Sequence, residues 1–422
     1  MDGLTPGGVW LVVATALVML MTPALAFFYA GMTRVRSTLN MIMMSLAAMA
    51  LAGLTWLLRG SSMATSEASA LGMFGDPFAN LAGLAASDSG DLLGMAFNAA
   101  FAIVTVAIIS GSIADRARFG AWCLFVPLWV TLAYAPMAYA VWNGGILSAD
   151  GAIGQWAGEA IDFAGGTVIH MNAGMAALVL ALILGARSGF GKQASHQPHN
   201  LPMVVLGAAL LWIGWFGFNV GAAGDDRQAA VILLNTIAAP AAAVVSWLAV
   251  ERIRDGRPTT FGAASAIVAG LVAISPACAD VTIPGAIAIG LATGVASCLA
   301  IRLKYRLGYD DSLDVVAVHL VTGFVGTVAL GFFAIPGEES AGGLFYGGGT
   351  GQLWSQLVAT GFALAYSGLV TAVLALVIHK VIGFRVASHV EEEGVDLHEH
   401  SESAYAPGAL VGAPSALSSN QS

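Results

Sequence analysis

Two histidines set the chemistry this chain can do. His170 lies in IDFAGGTVIHMNAG (161–174) and His319 in DSLDVVAVHLVTG (311–323), and both stretches share one frame: Asp, seven residues, His, three residues, Gly. A long apolar run follows each histidine, which places each imidazole about midway along a membrane-buried segment. On a continuous helix Asp162 and His170 are expected roughly 12 Å apart along the axis. An imidazole in hydrocarbon is costly, and intramembrane ionisable residues usually face a pathway or a partner. The plainer alternative is a hydrogen bond to a neighbouring helix. Two histidines at matched positions of a repeat favour the pathway. Burial disfavours the charged form, so neutral rings are expected, and a neutral pair can share one proton, one ring donating and the other accepting.

The carboxylates of the frame have a structural and a functional reading. Asp162 and Asp311 begin their spans, where a carboxylate can cap backbone N–H groups. Capping is the expected role of Asp311. Asp162, on the expected outer side, could also stabilise an entering cation. Asp314, one turn further in, is expected to tie helices together.

Aromatic residues form a third set. Trp142 ends the fourth apolar run, Phe97 and Phe101 stand one turn apart in the third, and Trp215, Phe216 and Phe218 cluster in the sixth. Interfacial belts account for many such residues, Trp215 and Phe216 among them. The alternative is a resting place for a cation, which is attracted to aromatic faces and most strongly to Trp.

The elements that must hold these residues follow from composition. Of 422 residues, 58% are hydrophobic and 10% charged, against about 25% charged in soluble domains, and the mean hydropathy is +0.81. Eleven runs are long enough to cross a bilayer: 8–30, 40–59, 92–114, 119–142, 163–186, 200–222, 229–250, 261–278, 282–301, 313–335 and 353–380. With the N-terminus outside, fourteen of the sixteen Lys and Arg fall on the inner side, Arg59 and Arg227 excepted, as the positive-inside rule requires. Ala24-Leu25-Ala26 resembles a signal-peptidase site, but only Asp2 precedes the apolar run, so a retained first helix is expected.

The expected fold is therefore an all-α integral membrane protein with eleven transmembrane helices, N-out and C-in, in a cell membrane. The histidine frames fall in the fifth and tenth spans, which implies an inverted five-helix repeat (about 8–187 and 200–335) plus a terminal helix (353–380). Such repeats are a transporter architecture with the substrate path between the halves. Residues 1–382 form one membrane domain and 383–422 a cytoplasmic tail, charged as far as Tyr405 and expected to be disordered beyond Ala406. The outer loop 60–91 is expected to cap the external face.

Several classes are excluded. A net charge of -9 leaves no basic footprint for nucleic acid. Cys123, Cys278 and Cys298 stand singly and read as small core residues, so no metal site is expected. No nucleophile–base set or nucleotide loop is present; an enzyme is not expected, and neither is a cofactor.

TPALAFFYAGM (22–32), ADRARF (114–119), WNGG (142–145), DFAGGTVIHMNAG (162–174), WIGWFGFNVG (212–221), SPAC (275–278), DVVAVH (314–319) and EEEGVDLHEHSESAY (391–405) together resemble the ammonium transporter (Amt/Mep/Rh) family, over nearly the whole chain. Trp142 is typical of the Amt/Mep branch. The resemblance implies uptake of ammonium and methylammonium by a homotrimer whose subunits each carry a narrow hydrophobic pore. It implies Trp142, Phe101 and Asp162 as the recruitment site, Phe101 and Phe218 as the gate, and His170 and His319 as the pore pair through which ammonia passes. Phe97, Trp215, Asp311 and Asp314 support them. It also implies a tail that contacts a PII-type signal protein; the charge pattern alone reads equally as a solvated face. Ala222 stands where the family usually has serine, with Asn143 a candidate substitute donor, and Ser401 replaces a common glycine. A sensor on the same scaffold, or a channel for another small neutral molecule, are the competing functions.

Overall fold

The computed structural model describes residues 4–66, 70–79, 87–191, 198–337 and 340–405. Lys192, one of the fourteen Lys and Arg expected on the inner side, and the segment beyond Ala406 lie outside the described residues. Among the described residues, eleven helices are long and apolar enough to cross a membrane: Pro6–Met32, Val35–Thr65, Ser89–Ile113, Phe119–Trp142, Gly166–Leu184, Leu201–Val220, Asp226–Asp255, Thr260–Ala277, Ile283–Leu307, Val316–Phe333 and Gly351–Val381. They are called spans one to eleven here.

Local sequence explains where many begin. Thr5, Asp88, Asn200, Asp225, Thr259 and Thr282 each accept a backbone N–H three residues on, which satisfies a donor the helix itself cannot. Pro6, Pro202 and Pro284 occupy first-turn positions, where the missing N–H costs nothing. Span two runs on to Thr65 through a wide turn at Trp56–Gly60, so Arg59 sits in helix and the outer loop starts later than residue 60.

Between apolar helices in lipid, close backbone approach and van der Waals contact replace the hydrophobic drive. Span six does this against span one: a methyl group at Gly207 would meet the Phe28 nitrogen at 2.4 Å, and one at Gly217 the Ala14 carbonyl oxygen at 2.7 Å. Span eleven grips span five more than once. Ser367 donates to the Asn172 carbonyl at 2.7 Å, and Arg385, just past the helix, donates to the Leu184 and Ala186 carbonyls at 2.9 Å each.

The two halves repeat in detail. Gly165 and Asp314 both have positive φ, +96° and +63°, at equivalent places in the frame. Wide helical turns follow at Gly166–Met171 and Val316–Val321. Asp162 and Asp311 each accept the N–H five residues on, from Thr167 and Val316, at 2.8 and 2.7 Å. This geometry corrects the expected placement of the histidines. Spans five and ten start at Gly166 and Val316, so each imidazole lies about one turn inside its helix, and Asp162 is not on the axis at all. The reason is local: the turn that lets Asp162 fold back on Gly165 and Gly166 breaks the helix before it begins.

Loop residues expected on the inner side assemble at one end of the bundle. Arg187 donates to both carboxylate oxygens of Asp310 at 2.8 Å and to Asp115 at 2.7 Å, while Arg116 donates to the Asp310 carbonyl at 2.6 Å. The tail docks on the same end. Val386 donates to the Arg116 carbonyl at 2.9 Å, and the short helices Ser388–Glu393 and Val395–His400 follow. Asp396 accepts the N–H groups of Leu39 and Asn40, Glu391 accepts from Ser188 and Arg385, and Glu399 accepts from Phe119. The acidic run is therefore not merely a solvated face, since Glu391 and Asp396 are buried.

Candidate functional site: a histidine pair beside an apolar void

The repeat brings its two histidines face to face. The Nδ1 atoms of His170 and His319 are 3.4 Å apart, with ring centroids at 5.5 Å and planes inclined by 30°. Both rings are buried, at 1% and 3% exposure. A contact between two ring nitrogens requires one donor and one acceptor, so two neutral rings suffice. His170 Nε2 has no protein partner among the described residues. Beside the pair is a void of about 10 Å³, lined by Met21, Leu25, Val104, Ile108, Leu211, Trp215, Phe218 and Val268 together with the two imidazoles. A void of that order admits about one water-sized molecule.

A column of rings leads to the pair. Phe97 meets Phe101 edge-on at 4.7 Å, Phe101 lies 4.5 Å from Phe218, and Phe218 stacks on His170 at 5.9 Å. Trp215, 5.2 Å from Phe218, also stacks on His170 at 5.6 Å and donates its indole N–H to Ser275 at 2.8 Å. This corrects the interfacial-belt reading of Trp215: it is buried at 2% exposure, with its polar edge satisfied inside the protein. Phe216, on the other side of the same helix, is half-exposed.

Trp142 is half-buried and donates its indole N–H to the Asp162 carbonyl at 2.7 Å. Both residues line a separate cavity of about 390 Å³, with Glu159, Phe163, Gln228 and Asp280. Neither Phe101 nor Phe218 lines it, so the expected recruitment and gate residues fall in two layers. The Asp162 carboxylate is taken up by donors of its own turn. It accepts N–H groups of Gly165, Gly166, Thr167 and Val168, and the Thr167 hydroxyl. Burial pushes its carboxyl up, and those hydrogen bonds work against the shift. A carboxylate with this many donors acts as a fixed hub for the turn that carries His170.

At the other end Asp311 has fewer partners: Val316 N–H reaches one oxygen and the other has no partner among the described residues. Burial pushes its carboxyl up to about 6, opposed by Lys304. Asp314 pairs with the Lys304 ammonium at 2.6 Å, which ties span nine to the start of span ten. Ala222 and Asn143 are both exposed. The aliphatic residues lining the void, such as Met21 and Val268, were not singled out by the sequence, because an apolar residue in an apolar run carries no mark of its own. Gln356 went unnoticed too, although an amide inside span eleven is a visible signal.

Comparisons with known proteins identify the family of the chain. The family model described as Ammonium Transporter Family matches residues 9–405. An ammonium transporter of Mycobacterium tuberculosis is 46% identical over 96% of this chain and 91% of its own length. One of Aquifex aeolicus is 44% identical over 94% and 92%. Among solved structures, Saccharomyces cerevisiae Mep2 superposes with a TM-score of 0.81 at 33% identity, covering 90% of this chain and 87% of that one. A sensor Amt protein superposes with a TM-score of 0.83 at 28% identity, covering 93% and 97%. On the family match, the long relatives and the eleven spans together, this chain belongs to the ammonium transporter family and is a multi-pass protein of the cell membrane.

Proposed function

We propose that this protein takes up ammonium and methylammonium across the cytoplasmic membrane, passing the nitrogen through the conduit as neutral ammonia. The observation that carries the reading is the His170–His319 contact inside a lining otherwise made of apolar side chains. A bare cation there loses several kcal/mol or more of hydration with no carboxylate to replace it, whereas ammonia avoids that penalty. The cation is recruited at the outer cavity against the Trp142 face, held also by the acidic surroundings of that cavity. It gives up its proton to water on the outer side of Phe101 and Phe218, and the ammonia passes the two imidazoles and takes a proton from water on the far side. His170 Nε2 offers the uncharged molecule a hydrogen-bonding position along a path that has few others.

The positive-inside distribution supports an N-out, C-in orientation, which puts Trp142 outside and the docked tail inside. Family likeness supports a homotrimer with one conduit per subunit, and a PII-type protein as partner of the tail face. Family likeness also supports weaker cation binding on the outer side, since Ala222 lacks the hydroxyl of the usual serine. The likeness to a sensor Amt protein favours one second reading: a scaffold that binds ammonium in order to signal. Uptake of labelled methylammonium by purified protein in liposomes separates them. Saturable uptake supports transport, and binding without flux supports the sensor.

A further inference from the structure

The stretch from Gly158 to Gly165 has no regular secondary structure, yet it carries the buried Asp162. Backbone groups at such depth need partners from elsewhere in the fold. Phe163 and Ala164 find theirs in the Pro276 and Ser275 carbonyls, at 3.1 Å each. Ile161 is satisfied on both sides by a single side chain. Its N–H donates to Gln356 Oε1 at 2.8 Å, and its carbonyl accepts from Gln356 Nε2 at 2.8 Å. The amide thus imitates a neighbouring strand. Its second N–H goes to the Thr327 carbonyl at 3.0 Å, and Gln352 donates to its oxygen at 3.2 Å. Two donors and two acceptor sites exhaust what a glutamine amide can do, and Gln356 is fully buried.

We propose that Gln356 is a positioning residue for cation recruitment. Ile161 is covalently joined to Asp162, whose carbonyl fixes the Trp142 indole and whose carboxylate fixes the turn bearing His170. Holding Ile161 at both polar groups sets the height and rotation of that next residue. The bond to Thr327 refers the same stretch to span ten, two turns beyond His319. Span eleven thereby registers the recruitment cavity against both halves of the repeat. The alternative is that Gln356 is only interhelical glue, in which case its loss lowers the amount of folded protein and nothing else. The inference rests on the transport reading above.

The test is the concentration dependence of methylammonium uptake in liposomes by Gln356→Leu and Gln356→Asn, normalised to folded protein. Gln356→Leu is expected to raise the half-saturation concentration about tenfold while the maximal rate per folded protein stays within about threefold. Gln356→Asn, whose amide is one methylene short, gives a smaller rise and serves where the Leu variant does not fold. Ser367→Ala removes a bond of the same helix to the Asn172 carbonyl and is expected to shift half-saturation less than about twofold. Unchanged half-saturation in both Gln356 variants overturns the inference, as does an equal rise in Ser367→Ala. Wild-type protein without saturable uptake overturns the transport reading and this inference with it, whereas wild-type uptake with unchanged variants overturns this inference alone.

Discussion

Asp162 holds Trp142 with its carbonyl and the start of span five with its carboxylate. The indole N–H reaches the carbonyl at 2.7 Å, and four consecutive backbone N–H groups from Gly165 to Val168 reach the carboxylate. One residue therefore fixes both the Trp142 face and the first turn of the histidine helix.

Asp162→Asn tests the hub. An amide keeps one acceptor oxygen but turns its NH2 group toward N–H donors, leaving two or more buried donors unmet at about 1–3 kcal/mol each. The variant is expected to lose most methylammonium uptake and to unfold at a lower temperature in detergent. Wild-type uptake with unchanged melting would contradict the assigned role.

Trp142→Leu removes the indole face and its hydrogen bond, the latter worth about 1 kcal/mol. Half-saturation for methylammonium should rise severalfold, and the maximal rate and the yield of folded protein should change little. An unchanged concentration dependence counts against recruitment at this residue.

The ion cluster at the tail-bearing end makes a pH prediction. Burial alone would push the Asp310 carboxyl up, but the Arg187 guanidinium on both its oxygens holds it at about 2. The folded value is thus below the unfolded value of about 3.9, so the group contributes stability above that pH and loses it as pH falls toward the folded value. The contribution is roughly 2–3 kcal/mol at neutral pH. Wild-type protein in detergent should lose melting temperature between about pH 4 and pH 2, and Arg187→Ala should be destabilised by about 3–5 kcal/mol through the stranded carboxylates. An Arg187→Ala variant as stable as wild type at pH 7 would refute the cluster's role.

Asp396→Ala removes the cap on the Leu39 and Asn40 N–H groups and should cost about 1–2 kcal/mol of tail docking. Limited proteolysis is expected to cut between residues 383 and 405 faster in the variant, with the eleven spans left intact. Equal cleavage rates would place the docking energy elsewhere, for instance in the Arg385–Glu391 pair.

What could be read in the residues alone divides along physical lines. Span number follows from hydrophobic length, which membrane thickness enforces, and the histidine pairing follows from a frame repeated at one spacing. Depth does not follow: His170 sits one turn into its helix because Gly165 takes a positive φ and Asp162 folds back, a local choice that apolar periodicity conceals. An interfacial place is the default for a Trp in an apolar run, whereas the burial of Trp215, its stack on His170 and its bond to Ser275, sixty residues away, come from packing. Gln356 depends in the same way on a partner 195 residues distant. Contacts of that separation belong to packing, and no short motif announces them.

The central claim is that paired neutral imidazoles pass ammonia and refuse ions. Ammonium flux and potassium flux measured together on liposomes holding wild type, His170→Ala or His319→Ala test it most directly. The account predicts selective ammonium uptake by the wild type, and in each variant either no uptake or potassium entry. Full, potassium-excluding uptake by both variants would contradict it.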